Sequence, residues 1–129
     1  MVIDTSAVLA ILLGEPDAER YALALEAAVV CRMSAAAYLE AAVVIDHRKD
    51  AVASREFDLF VRRAGIVIEP VTAEQAQIAR QAYRDFGKGR HAAGLNFGDC
   101  LSYGLAKAVD EPLLFKGGDF SRTDVGVAG

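Results

Sequence analysis

Four acidic residues stand where a carboxylate is hard to explain as surface decoration: Asp4, Glu40, Asp99 and Asp119. Asp4 closes the apolar start MVI, Glu40 interrupts the run AAAYLEAAVVI, Asp99 opens a helix-like segment and Asp119 follows the strand-like LLF. If folding brings them together, something must neutralise their mutual repulsion. Mg²⁺ and Mn²⁺ suit the task, because these hard divalent cations prefer carboxylate oxygens and water. Glu40 is the most telling of the four. At about 100° per residue its helical neighbours are Ala36, Ala37, Val43 and Val44, so it is expected either to be buried without a partner or to bind something. An ionised carboxylate left desolvated and unpaired costs on the order of several kcal/mol.

Each acid also has a purely structural explanation. Asp4 suits the N-cap of the helix that follows it, and Asp99 suits a first-turn acid favoured by the helix dipole. Asp119, after Gly117 and Gly118, suits a turn, and Glu40 has Arg48 and Arg32 as conceivable ion-pair partners. The four together are harder to dismiss than any one alone.

The elements that must position them read as alternating strands and helices. VVCRM (29–33), IVIEPV (66–71) and PLLF (112–115) are short and apolar, as buried parallel strands are, and the opening VI is a fourth. Between them lie six helical stretches. SAVLAILLG stops at Gly14, and EPDAERYALALEAA carries Pro16 and acids near its start. SAAAYLEAAVVIDHRK has Ser34 as N-cap, ASREFDLFVRRAG ends at Gly65, and TAEQAQIARQAYRDFG opens on a capping-box-like Thr72 and Gln75. FGDCLSYGLAKAV completes the set. Strands separated by helices predict a three-layer α/β/α fold with a mainly parallel central sheet. In such sheets sites form beyond the carboxyl ends of the strands, where Asp4 and Asp119 fall. Asp99, opening a helix, is expected at the same rim.

Composition narrows the setting. With 129 residues, 53% of them hydrophobic and 25% charged, the chain fits one globular domain over residues 1–129 and argues against disorder. No apolar run reaches the roughly 18–20 residues of a membrane span and no signal segment opens the chain, so a soluble, cytoplasmic protein is expected. Cys31 and Cys100 lack metal-ligand spacing and read as free thiols. The net charge of −4 argues against a general nucleic-acid binder, although the formal sum omits any bound metal.

VIDTSAVLAIL, YLEAAVV, LNFGDCLSYGLAK and PLLFKGGDFSRTDV together resemble the PIN domain, and within it the VapC-type toxins of bacterial toxin–antitoxin pairs. The likeness spans nearly the whole chain in order and spacing; Gly118, where many relatives carry another polar residue, is a small departure. It implies a metal-dependent ribonuclease in which Asp4, Glu40, Asp99 and Asp119 are both the catalytic carboxylates and the ligands of Mg²⁺ or Mn²⁺, Asp119 more weakly. Thr5 and, behind it, Ser6 would support the first acid. Hydrolysis would leave 5′-phosphate and 3′-hydroxyl ends and would need no Ser, His or Cys nucleophile. The resemblance also implies an RNA substrate and inhibition by a VapB-like antitoxin.

Lys88, Arg90 and His91, in the glycine-rich loop before Asp99, are candidates for contact with RNA phosphates or else belong to a solvated loop. His47 lies on the same helical face as Glu40 and reads as structural, as does Asp124. Lys116 suits a phosphate or a carboxylate partner. The apolar run Ala35–Ile45 suggests a helix also buried by a second copy, hence a homodimer. A receiver-type phosphoacceptor domain shares the size, the acids and a late lysine, but the middle strand lacks the acid it requires. A catalytically inactive PIN-like binding module is the third reading, opposed by the intact acid set.

Overall fold

Val2 and Ile3 lean to opposite faces of one strand, as do Leu113 and Leu114, and all four side chains are buried. Val2 and Leu113 join one apolar cluster with Ala79, Leu95, Leu105 and Phe120. Ile3 and Leu114 join another with Val8, Tyr21, Met33, Ile45 and Phe57. A sheet buried on both faces needs helices on both faces, and the computed structural model, which describes residues 1–129, has this three-layer α/β arrangement.

Four strands make the sheet: β1 (Val2–Ile3), β2 (Arg32–Ser34), β3 (Val67–Glu69) and β4 (Leu113–Leu114). All pairings are parallel in the order β3-β2-β1-β4, with Val2 opposite Arg32 and Leu113, and Met33 opposite Ile68. Six helices surround it: α1 (Thr5–Leu12), α2 (Ala18–Ala27), α3 (Ala35–His47), α4 (Ala51–Arg63), α5 (Ala73–Phe86) and α6 (Phe97–Val109). Ser34 caps α3 by accepting from the Ala36 N–H, and Thr72 caps α5 by accepting from the Gln75 N–H. Gly104 lets α5 and α6 close tightly, since a Cβ there would lie 2.7 Å from the Gln75 carbonyl oxygen.

The apolar segments overstate the strands. Val29 and Val30 are exposed outside the sheet, and β3 is an edge strand whose Val67 and Ile68 are exposed rather than buried. Beyond the amino ends of the strands, Glu111 joins the Met1 ammonium (2.5 Å) and Arg32 (2.9 Å), and Arg32 also meets Glu69 at 2.8 Å. Arg32 is therefore engaged by Glu69 and Glu111 rather than by Glu40. Cys31 and Cys100 are buried free thiols, each pushed up to about 11 by burial. No helix is long and apolar enough to cross a membrane.

Candidate active site

The chain leaves β1 at Asp4, whose N–H still donates to the Leu114 carbonyl at 2.9 Å. It then turns at once into α1. The Asp4 side chain caps that helix, with Oδ2 accepting from the Ser6 N–H (3.0 Å) and from Ser6 Oγ (2.6 Å). Ser6 Oγ accepts in turn from the Lys116 N–H at 3.0 Å, which ties the ends of β1 and β4 together. The other oxygen, Oδ1, accepts from Ser102 Oγ at 2.5 Å. Asp4 and Ser102 are both buried, so this carboxylate is fixed by hydroxyl donors on both sides.

Asp99 reaches the same rim from α6. Asn96 caps that helix: its side chain accepts from the Asp99 N–H at 2.9 Å, while the Asp99 carboxylate accepts from the Asn96 N–H at 3.0 Å. Burial pushes the Asp99 carboxyl up to about 6, opposed by the Asn96 N–H and reinforced by the negative charges of Asp4, Asp119 and Glu40. The charges of all three other acids thus reach Asp99.

Glu40 arrives differently from the sequence expectation. It is exposed, because the outer face of α3 is uncovered and leaves Leu39, Val43 and Val44 exposed as well. What brings it to the rim is Gly98, where a Cβ would lie 2.8 Å from Glu40 Oε2. Asp119 is exposed at the start of a short 3-10 helix, Phe120–Arg122, and makes no capping hydrogen bond. Phe120 anchors that turn, buried with its ring 5.1 Å from that of Phe115.

An all-carboxylate donor set is hard and anionic, which fits Mg²⁺ or Mn²⁺ and not the thiolate and imidazole preference of structural zinc. No three His, Cys, Asp or Glu side chains stand close enough to cage an ion by themselves. That spacing suits Mg²⁺, which usually takes one or two carboxylates and keeps several waters. The fit rests on donor chemistry and on the charge gathered around Asp99.

The supporting residues sort themselves by contact. Thr5 Oγ1 donates to the Ala37 carbonyl at 3.0 Å, joining α1 to α3, so Ser6 is the hydroxyl that touches Asp4. Lys116 pairs with Glu15 and with Asp17. Asp124 accepts from Tyr103 Oη at 2.5 Å and meets Lys107 at 3.3 Å, a structural role. In the basic loop, His91 Nδ1 accepts from the Ala93 N–H and its ring meets the edge of Phe86, so His91 shapes the loop. Lys88 and Arg90 are exposed, and the Arg90 guanidinium lies over the Tyr83 ring at 5.5 Å. His47 is exposed in the last turn of α3. Sequence reasoning passed over Ser102, Asn96 and Gly98. The Asn96-x-x-Asp99 spacing is a cap signature, and Ser102 follows Asp99 by three residues on one helical face.

The family model described as "PIN domain" matches residues 1–126. Ribonuclease VapC30 of Mycobacterium tuberculosis (strain ATCC 25618 / H37Rv) is 57% identical over 97% of this chain and 95% of that protein. Among solved structures, the fold matches VapC20 of M. tuberculosis, described as a sarcin-ricin loop cleaving toxin, with TM-score 0.74 at 17% identity over 96% of this chain and 95% of that one. It also matches a chain of a toxin–antitoxin complex from Klebsiella pneumoniae, with TM-score 0.73 at 15% identity over 95% and 92%.

Proposed function

The chain belongs to the PIN-domain family, and from that membership we propose that it is a VapC-type endoribonuclease, a single PIN domain over residues 1–129 that hydrolyses RNA phosphodiester bonds in the cytoplasm with Mg²⁺ or Mn²⁺. The observation that supports this reading is Asp99, half-buried and raised first by that burial and further by the charges of Asp4, Asp119 and Glu40. Asp4 and Asp99 are the ligands held most firmly, one by Ser6 and Ser102 and the other by the Asn96 cap. Glu40 and Asp119, both exposed, are free to adjust to ion and substrate. When bound, the divalent ion supplies charge to polarise the scissile phosphate and acidify the attacking water.

The chain's own residues do the rest. Asp4 keeps one orientation because Ser6 and Ser102 donate hydrogen bonds to both its oxygens. Asp99, with its carboxyl near 6, is largely ionised at neutral pH and so available to a cation. Lys88 and Arg90 offer positive charge to the RNA backbone in a protein of net charge −4.

Two partners follow. A second copy would cover the exposed Leu39, Val43 and Val44 of α3, giving a homodimer. For a VapB-like antitoxin there is a groove of about 830 Å³ between α1, α2 and α4, floored by Ile11, Leu25 and Phe60, with Glu26, Glu56 and Arg63 at its edge. Such a groove suits the apolar face of a helix. The receiver-type alternative finds no supporting observation, since β2 ends in Met33 and Ser34 without an acid. Sequencing of RNA 5′ ends after brief expression of the wild type and of Asp99→Asn tests the reading. New 5′-phosphate ends in the wild type alone are expected; the same ends in both would refute it.

A further inference from the structure

Gly98 has the ordinary backbone of a helix, unlike Gly65, Gly89 and Gly94 with their positive φ, so nothing in its main chain calls for glycine. A glycine within a helix is otherwise a disadvantage, because it loses more conformational freedom on folding than any other residue. Its missing side chain matters to one neighbour: the three atoms nearest to a Cβ there are Oε2, Oε1 and Cδ of Glu40, at 2.8, 3.2 and 3.3 Å. We propose that Gly98 is a positioning residue for Glu40, whose carboxylate reaches an ion held by Asp4 and Asp99 across the bare Cα of the α6 turn. The inference rests on the metal-dependent ribonuclease reading and adds to it the residue that governs how far Glu40 can reach.

The other glycine of the same helix shows the contrast. A Cβ at Gly104 would meet the Gln75 carbonyl oxygen at 2.7 Å, main chain that cannot yield, so that glycine serves the packing of α6 on α5. At Gly98 the obstacle is the free end of a flexible, exposed side chain, which a methyl group would push aside. Substitution at 98 therefore leaves the fold intact and moves Glu40.

Glu40 depends on this seat because no cation directs it. It belongs to none of the chain's ion pairs, whereas Asp4 is fixed by Ser6 and Ser102 and Asp99 by Asn96. What favours Glu40 at its place is the first turn of α6, where the N–H groups and the helix dipole attract a carboxylate. As the acids stand, no three are close enough to cage an ion, so Glu40 has to shift to join one bound at Asp4 and Asp99. Gly98 immediately precedes Asp99, and a side chain on it would stand between the Glu40 carboxylate and the turn. A displaced Glu40 would lose both the attraction of that turn and its approach to the ion.

The test titrates purified wild type, Gly98→Ala, Glu40→Gln and the double variant with Mn²⁺ in a calorimeter, and melts each in chelator. Glu40→Gln and Gly98→Ala should each weaken Mn²⁺ binding about tenfold or more, and the double variant should bind no more weakly than Glu40→Gln alone. In chelator Gly98→Ala should melt no lower than the wild type, and up to about 3 °C higher, because alanine suits a helix better than glycine. Weaker metal binding by a protein at least as stable is a result that a packing role does not give. The proposal is overturned if Gly98→Ala binds Mn²⁺ as the wild type does, or if its loss adds in full to that of Glu40→Gln. It is also overturned if Gly98→Ala melts several degrees lower, which would make Gly98 a packing glycine like Gly104. The two readings fail separately. A wild type that binds no Mn²⁺, or that Glu40→Gln leaves unchanged, refutes the metal site itself, whereas Glu40-dependent binding that ignores Gly98→Ala defeats only the positioning role.

Discussion

Ser102 donates its hydroxyl to Oδ1 of Asp4 at 2.5 Å across 98 positions of sequence, linking α6 to the end of β1 inside the core. The bond fixes the direction in which the most buried of the four acids presents its remaining lone pairs. Side chains that orient a metal-binding carboxylate in this way typically govern metal affinity about 10–100-fold. Ser102→Ala is therefore expected to weaken Mn²⁺ binding by that range in titration calorimetry, with a stability loss of about 1–3 kcal/mol for the unmet buried acceptor. Ser102→Cys, similar in size but a weak donor, should fall between. A lower melting temperature with unchanged Mn²⁺ affinity would reduce Ser102 to a packing residue.

Asp99 and Asp4 should respond in opposite ways to loss of charge. The Asp99 carboxyl is raised from 3.8 to about 6 in the folded protein, which therefore holds that proton more tightly than the unfolded chain does. Its contribution is most favourable below about 4, declines as pH rises to about 6, and is flat above that. The decline amounts to on the order of 1–2 kcal/mol once solvent screening is allowed for. In chelator at pH 7, Asp99→Asn should melt higher than the wild type and lose this decline between about pH 4 and 6. The asparagine can still accept the Asn96 N–H.

Asp4→Asn should melt lower. Its single carbonyl oxygen cannot accept from both Ser102 and Ser6, and both charge-assisted bonds to a carboxylate are lost. Equal melting shifts in the two variants would show that neither burial nor the neighbouring charges penalise the ionised form of Asp99.

The sequence made Asp4 and Asp99 legible because each stands at an element boundary: Asp4 is the N-cap of α1, and Asp99 answers the Asn96 cap of α6 from the N3 position. Glu40 was singled out for a reason that did not hold. Its apolar neighbours suggested burial, but Leu39, Val43 and Val44 are exposed, and an apolar run cannot show whether a helix face meets its own sheet or another molecule. The same ambiguity made IVIEPV read as a buried strand when it forms the sheet's edge. Ser102 was illegible because a lone serine inside a helix carries no signal until the fold sets β1 beside it. The parallel sheet was legible because its two-faced strands must be covered on both sides, which the alternation of helices already provided.

The most direct measurement is cleavage of an end-labelled RNA by the purified protein, with and without chelator, beside Asp99→Asn. Cleavage should require Mg²⁺ or Mn²⁺, stop when the ion is chelated, leave 5′-phosphate ends, and fall at least about 100-fold in Asp99→Asn. Cleavage that survives chelation, or an Asp99→Asn protein of near-full activity, would contradict a carboxylate-held metal as the source of the activity.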